Sequence, residues 1–168
     1  MARRALSHRI ALRVALAALA AAVIAAVFLA HASTTRRPAP PLPTAVRQGP
    51  AVTLADLRGH AAAIVFWAAW CDNCHSEAPS VERFARSAGG RGHVIGVDSS
   101  DGGNWRGFLR AYHWTFPVLA DSDGTATSAY RLTGLPATVI LDPRGRIAST
   151  HYGVQTVASL TSELAAAG

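Results

Sequence analysis

Eight consecutive apolar residues, Ala61 to Ala68 (AAAIVFWA), constrain this chain more than any other stretch. A strand with one wet face alternates polar and apolar side chains, whereas a strand covered on both faces reads as an unbroken apolar run. This run therefore predicts a central strand with packed layers on either side. Three residues beyond it comes Cys71, followed by Cys74, and these are the two cysteines of a 168-residue chain.

The flanking segments alternate in period. Val52-Thr53-Leu54 reads as a short strand, followed by a turn at Asp56 to Gly59. Ser76 to Ala88 reads as a helix, with Val81, Phe84, Ala85 and Ala88 at helical spacing. His93 to Asp98 is a second strand, and Asn104 to Tyr112 a second helix with Trp105, Phe108, Leu109 and Tyr112 on one stripe. Phe116 to Leu119 and Ala137 to Leu141 are further strands. The turn signal Asp142-Pro143-Arg144-Gly145 sends Arg146 to His151 back antiparallel, and Thr156 to Ala166 closes the chain as a helix. The order βαβα, then a hairpin and a last helix, predicts an α/β fold with a mixed central sheet covered by helices.

Upstream, Val14 to Ala30 is an uncharged apolar run of 17 residues. As a helix it spans about 25 Å, a little less than a hydrocarbon core of about 30 Å. Arginines 3, 4, 9 and 13 precede it, which by the positive-inside rule keeps that end in the cytoplasm and exports the remainder. Residues 1–32 thus read as a signal anchor, or as a signal peptide cut after Ala30-His31-Ala32. The expected location is the cell membrane, single-pass with an extracytoplasmic C-terminal domain, or secreted if cleaved. Residues 33–50 follow as a Pro-rich linker, because Arg36 to Pro50 holds five of the nine prolines and reads as an extended spacer. Residues 51–168 form the folded domain.

The net charge of +6 invites a nucleic-acid reading, but six arginines precede residue 38 without any acid. From Pro38 onward ten arginines meet ten acids, so the folded part has no basic excess to serve as a phosphate footprint and no nucleic-acid partner is expected. An exported compartment is oxidising, so the two cysteines there pair with each other or with a partner.

Cys71 and Cys74 sit where a buried strand passes into a helix. The first helical turn offers unpaired N–H groups and partial positive charge, which ease loss of a thiol proton, and the thiolate is the nucleophile. A spacing of three puts the second sulfur within the same turn. Zinc needs about four ligands; His75 is adjacent to the cysteine pair, but His60, His93, His113 and His151 are scattered without ligand spacing, so no metal is expected. A structural staple over so short a loop removes little unfolded-state entropy. Redox exchange is the reading these residues favour, with Cys71 attacking and Cys74 resolving.

The stretch FWAAWCDNCHSEAP resembles the W-A-x-W-C-x-x-C-x-x-E-x-P signature of the TlpA/ResA/CcmG-like (DsbE-type) thioredoxins. The resemblance continues through Phe116-Pro117-Val118-Leu119 and Asp121, Gly134 to Thr138, and Asp142 to Gly145. It implies a thioredoxin fold with an N-terminal hairpin extension and an insertion, and the activity of an exported thiol-disulfide oxidoreductase whose only cofactor is the Cys71–Cys74 disulfide. It implies that Trp70 packs beside the site and limits access to Cys71, and that Pro136 is a cis-proline facing the disulfide. Leu135 then supplies the backbone contact to substrate, and Glu77 handles the proton of Cys74. Cytoplasmic thioredoxins place a buried Asp just before the Phe-Trp pair; Val65 stands there, which leaves that task to Glu77. Pro79 matches a helix-kinking proline.

The implied partners are exported proteins with disulfides or thiols, such as apocytochrome c before haem attachment, and a membrane or extracytoplasmic electron donor. Between the cysteines, Asp72 places negative charge near Cys71, disfavours its thiolate and tilts the expectation towards a reductant. Two alternatives stand beside this one. A copper-binding assembly factor wants a third ligand, and a thiol peroxidase wants a lone reactive cysteine in a different local motif.

Overall fold

The computed structural model describes residues 14–27, 36–99 and 103–168 and divides the chain into two compact units, Met1–Arg37 and Pro38–Gly168. In the first, residues 14–27 form helix α1, with Val14, Leu16, Leu19, Val23, Ile24 and Val27 exposed. Among the described residues no helix is long and apolar enough to cross a membrane. Arginines 3, 4, 9 and 13, the end of the apolar run and the Ala30-His31-Ala32 pattern lie outside the described residues.

The second unit is a six-stranded mixed sheet with helices packed on it. Its elements run β1 (Ala45–Gln48), β2 (Ala62–Trp67), α2 (Asp72–Arg86), β3 (Val94–Asp98), α3 (Trp105–Tyr112), β4 (Val118–Ala120), α4 (Thr125–Ala129), β5 (Ala137–Leu141), β6 (Ile147–Tyr152) and α5 (Val157–Ala167). The strand order is β1-β4-β3-β2-β5-β6. Strands β2, β3 and β4 are parallel, while β5 pairs antiparallel with β2, β6 with β5, and β1 with β4.

Strand β2 is fully buried, as its unbroken apolar sequence requires. Its alternate residues feed two cores, because successive side chains point to opposite faces. Ala63, Val65 and Trp67 pack with Ala78, Val81 and Phe84 of α2, Phe108 of α3 and Leu160 of α5. Ala62, Ile64 and Phe66 pack on the other face with Leu57, Ala126 and Tyr130.

That second face also takes in Ala39 and Leu42, which corrects the expectation of a spacer from Pro38 onward. Leu42 is 8 % exposed, and burying a leucine contributes about 2 kcal/mol. The Tyr130 hydroxyl donates to the Pro40 carbonyl at 2.8 Å, and Pro38 bridges Arg146. The prolines fix an extended course along which apolar side chains reach the sheet, and β1 then adds an edge strand. Among the described residues the N-terminal addition is thus one strand and one bridge, in place of the hairpin that the resemblance implied.

Local polar bonds account for two further departures. Thr53 donates its N–H and its hydroxyl to the Asp56 carboxylate at 2.8 and 2.7 Å, so the expected strand at Val52-Thr53-Leu54 is a turn instead. Asp121 accepts the N–H groups of Ala126 and Thr127, both at 2.8 Å, and so starts α4, a five-residue helix with no apolar period to announce it.

Candidate active site

Helix α2 begins at Asp72, four residues before the expected start, and this places Cys71 at its N-cap. The Cys71 backbone is extended (φ −92°, ψ 110°), and its Sγ accepts the Cys74 N–H at 3.2 Å. One of the unpaired donors of a helix start is thereby aimed at a sulfur, where it favours negative charge. Cys71 and Cys74 are closed as a disulfide with Cα atoms 5.2 Å apart. Cys71 is 7 % exposed and Cys74 1 %, so Cys71 is the more accessible of the two.

His75, in the first turn of α2, fastens the segment that leads into Cys71. Its Nε2 lies 2.9 Å from the Ala69 carbonyl, and its Nδ1 lies 2.9 Å from the Tyr112 hydroxyl on α3. A carbonyl only accepts, so Nε2 carries the proton and, in the neutral ring, Nδ1 accepts from Tyr112. Gly103 closes on the same segment; at φ +112°, a Cβ there would stand 3.2 Å from the Ala69 Cβ. Trp70 is 59 % exposed beside the nearly covered Cys71, an apolar surface next to the disulfide.

Glu77 follows Cys74 by three residues and shares its helix face. It is 1 % exposed and accepts the backbone N–H of Gln155 at 3.0 Å. Burial pushes its pKa from 4.5 up to about 7, with the Gln155 bond pulling weakly the other way. A carboxyl poised there passes readily between acid and base at neutral pH. Val65 on β2 is fully buried and offers no carboxylate, which leaves Glu77 as the buried acid on the face of Cys74.

The Leu135–Pro136 peptide is cis and Pro136 is buried. Leu135 is half-buried and packs against the same cluster that contains both cysteines. The Pro136 carbonyl accepts from Gly153 at 3.0 Å. Tyr152 and Val154 stand exposed on either side of Gly153, so the proline loop is bordered by apolar surface. Pro79 lies inside α2, where its missing N–H leaves the His75 carbonyl without its helical donor.

Two working contacts were not legible in the sequence. Tyr112 was visible only as part of an apolar stripe, and Gln155 acts through its backbone N–H, which any residue other than proline supplies. Among the described residues no group of three or more His, Cys, Asp or Glu is arranged to hold a metal ion.

A family model described as the AhpC/TSA family matches residues 35–150. The thioredoxin-like protein YneN of Bacillus subtilis (strain 168) is 29 % identical over 130 residues, which cover 75 % of this chain and 76 % of YneN. The thiol-disulfide oxidoreductase ResA of Oceanobacillus iheyensis is 32 % identical over 115 residues, covering 67 % of this chain but 60 % of ResA. Among solved structures, a secreted Mycobacterium tuberculosis disulfide oxidoreductase homologous to E. coli DsbE superposes with a TM-score of 0.63 at 26 % identity, covering 74 % of this chain and 95 % of that one.

Proposed function

The chain belongs to the AhpC/TSA family and has the thioredoxin fold, and from that premise we propose that it is a thiol-disulfide oxidoreductase that reduces disulfides in exported proteins. The observation that carries this reading is the Cys71 Sγ at the N-cap of α2, accepting the Cys74 N–H. In the reduced protein the same donor and the helix terminus favour the Cys71 thiolate.

The Cys71 thiolate attacks one sulfur of a partner disulfide, forming a mixed disulfide and expelling the partner's other sulfur as a thiolate, which takes a proton from solvent. Cys74 then gives its proton to the Glu77 carboxylate and attacks the Cys71 Sγ. The partner's second thiolate leaves, and the Cys71–Cys74 disulfide closes. The partner gains two electrons and the pair loses two, so an extracytoplasmic or membrane dithiol donor must restore it. Apocytochrome c awaiting haem attachment is a substrate of the kind this reading expects.

Exposed Trp70, Tyr152 and Val154 and half-buried Leu135 support a polypeptide partner, since apolar side chains beside a nucleophile and a buried proline loop suit an extended chain. Pro136 and Leu135 are the assigned backbone contact to it. The apolar run at residues 14–30 and the secreted relative support a location outside the cytoplasm. The test is reduction of a disulfide-bonded protein substrate with a dithiol as electron source. Wild type is expected to accelerate it and Cys71→Ser to leave the uncatalysed rate; equal rates for the two proteins contradict the proposal.

A further inference from the structure

His60 and His93 meet at the end of the sheet away from the disulfide. His60 stands just before β2, and Cys71 comes only after that strand has run its length, six residues or about 20 Å. The two imidazole centroids are 4.4 Å apart with planes at 69°. Both side chains are half-buried, in a cleft walled by Ala61, Phe84, Pro143 and Leu164.

A hydrogen bond fixes the tautomer of the His93 ring. Its Nδ1 lies 2.7 Å from the Ala61 carbonyl, which only accepts, so Nδ1 carries the proton and Nε2 carries the lone pair. Metal-binding histidines commonly hold their second nitrogen this way, through a backbone carbonyl that fixes tautomer and orientation. The backbone is fixed as well, with the His93 N–H on Gly90 at 3.0 Å and its carbonyl accepting from Ala63 at 2.7 Å. Next to His60, the Gly59 N–H donates to Pro143 at 2.9 Å. The His60 imidazole makes no hydrogen bond among the described residues, although it lines an apolar cleft.

We propose that His60 and His93 form a two-imidazole site for a divalent transition-metal ion, Cu(II) foremost. Two imidazoles on one ion with metal–nitrogen bonds of about 2.0 Å have centroids about 4.5 Å apart at a right angle and about 5.2 Å apart at the tetrahedral angle. The observed 4.4 Å is the spacing of an edge contact between the two rings, and it accommodates a right angle, the cis arrangement of tetragonal Cu(II) and Ni(II), when a His60 nitrogen turns towards the His93 Nε2; of these ions Cu(II) binds more tightly. No third His, Cys, Asp or Glu joins the pair among the described residues, so water holds the remaining positions and the ion is exchangeable.

The site is tested by titrating the full-length protein, disulfide closed so that no thiol competes, with Cu(II), following affinity by calorimetry and ligation by electron paramagnetic resonance. The expected result is one Cu(II) per chain with coupling to two imidazole nitrogens, bound at least tenfold more weakly by His60→Ala and by His93→Gln and unchanged by His113→Ala. Because the His60 ring makes no hydrogen bond, its removal leaves the fold in place, which circular dichroism checks. A His60→Ala protein that binds Cu(II) within tenfold of wild type, or a wild type that binds none, overturns the assignment.

Discussion

The backbone N–H of Gln155 donates to the buried carboxylate of Glu77 across 3.0 Å, joining the turn between β6 and α5 to the helix that carries the redox pair. Two residues earlier in that turn, Gly153 donates to the Pro136 carbonyl at 3.0 Å. One short turn thus holds both the Glu77 carboxyl and the Pro136 loop, so disturbing it is expected to affect both.

Glu77 gives stability a defined pH dependence. A carboxyl whose pKa rises from 4.5 to about 7 on folding holds its proton longer in the native state than in the unfolded chain. Its contribution is therefore present below the lower value, falls as pH rises between the two, and is lost above about 7. The shift corresponds to roughly 3 kcal/mol. Urea unfolding of wild type and Glu77→Gln should show the variant gaining about that much on wild type between pH 4 and pH 8.

The same carboxyl should shape turnover. In the proposed mechanism Cys74 resolves the mixed disulfide by passing its proton to ionised Glu77, so the rate of that step is expected to rise with pH through about 7. In Glu77→Gln the inflection near 7 should be lost, the rate following ionisation of the Cys74 thiol itself at higher pH, with the step slowed about 10-fold or more at pH 8. Stopped-flow decay of a preformed mixed disulfide on Cys71 reads the step directly.

His75 and Tyr112 should act as one latch on the segment before Cys71. Tyr112→Phe removes one hydrogen bond and is expected to cost about 1 kcal/mol, and His75→Ala removes two and should cost about 2 kcal/mol. Both should also change the alkylation rate of reduced Cys71, in the same direction and more strongly for His75→Ala. Denaturation together with iodoacetamide kinetics checks this; a loss of stability with no change in Cys71 reactivity would make the contact purely structural.

Asp72 should hold the pair on the reducing side. Removing its charge from the first turn in Asp72→Asn favours the Cys71 thiolate by about 0.5 kcal/mol, which raises the reduction potential by ~10 mV. Equilibration against glutathione buffers measures the shift, and a fall in potential would oppose the proposed direction of electron flow.

Much of the centre of this fold is written locally. The apolar run over β2 announces a strand buried on both sides, and the cysteines that follow it lie at the helix start that the strand feeds. The segment from Pro38 to Gln48 is harder to read, because proline content suggests a spacer while two small contributions, Ala39 and Leu42, settle its place against the second core. Only the partner surface, contributed by Leu57, Tyr130 and the even-numbered residues of β2, makes those positions apolar sites. Leu42→Ala is accordingly expected to destabilise the domain by about 2–4 kcal/mol, a loss that a true spacer would not show in thermal unfolding. Gln155 was illegible for a different reason, since its contribution is a main-chain donor placed by the turn.

The mixed disulfide itself gives the most direct test of the account. With Cys74→Ser produced in an exporting host and free thiols blocked on harvest, Cys71 should accumulate covalent, thiol-reversible adducts with exported proteins. Cys71→Ser/Cys74→Ser should carry none. Adducts equally abundant in both proteins, or absent from Cys74→Ser, would contradict disulfide exchange through Cys71.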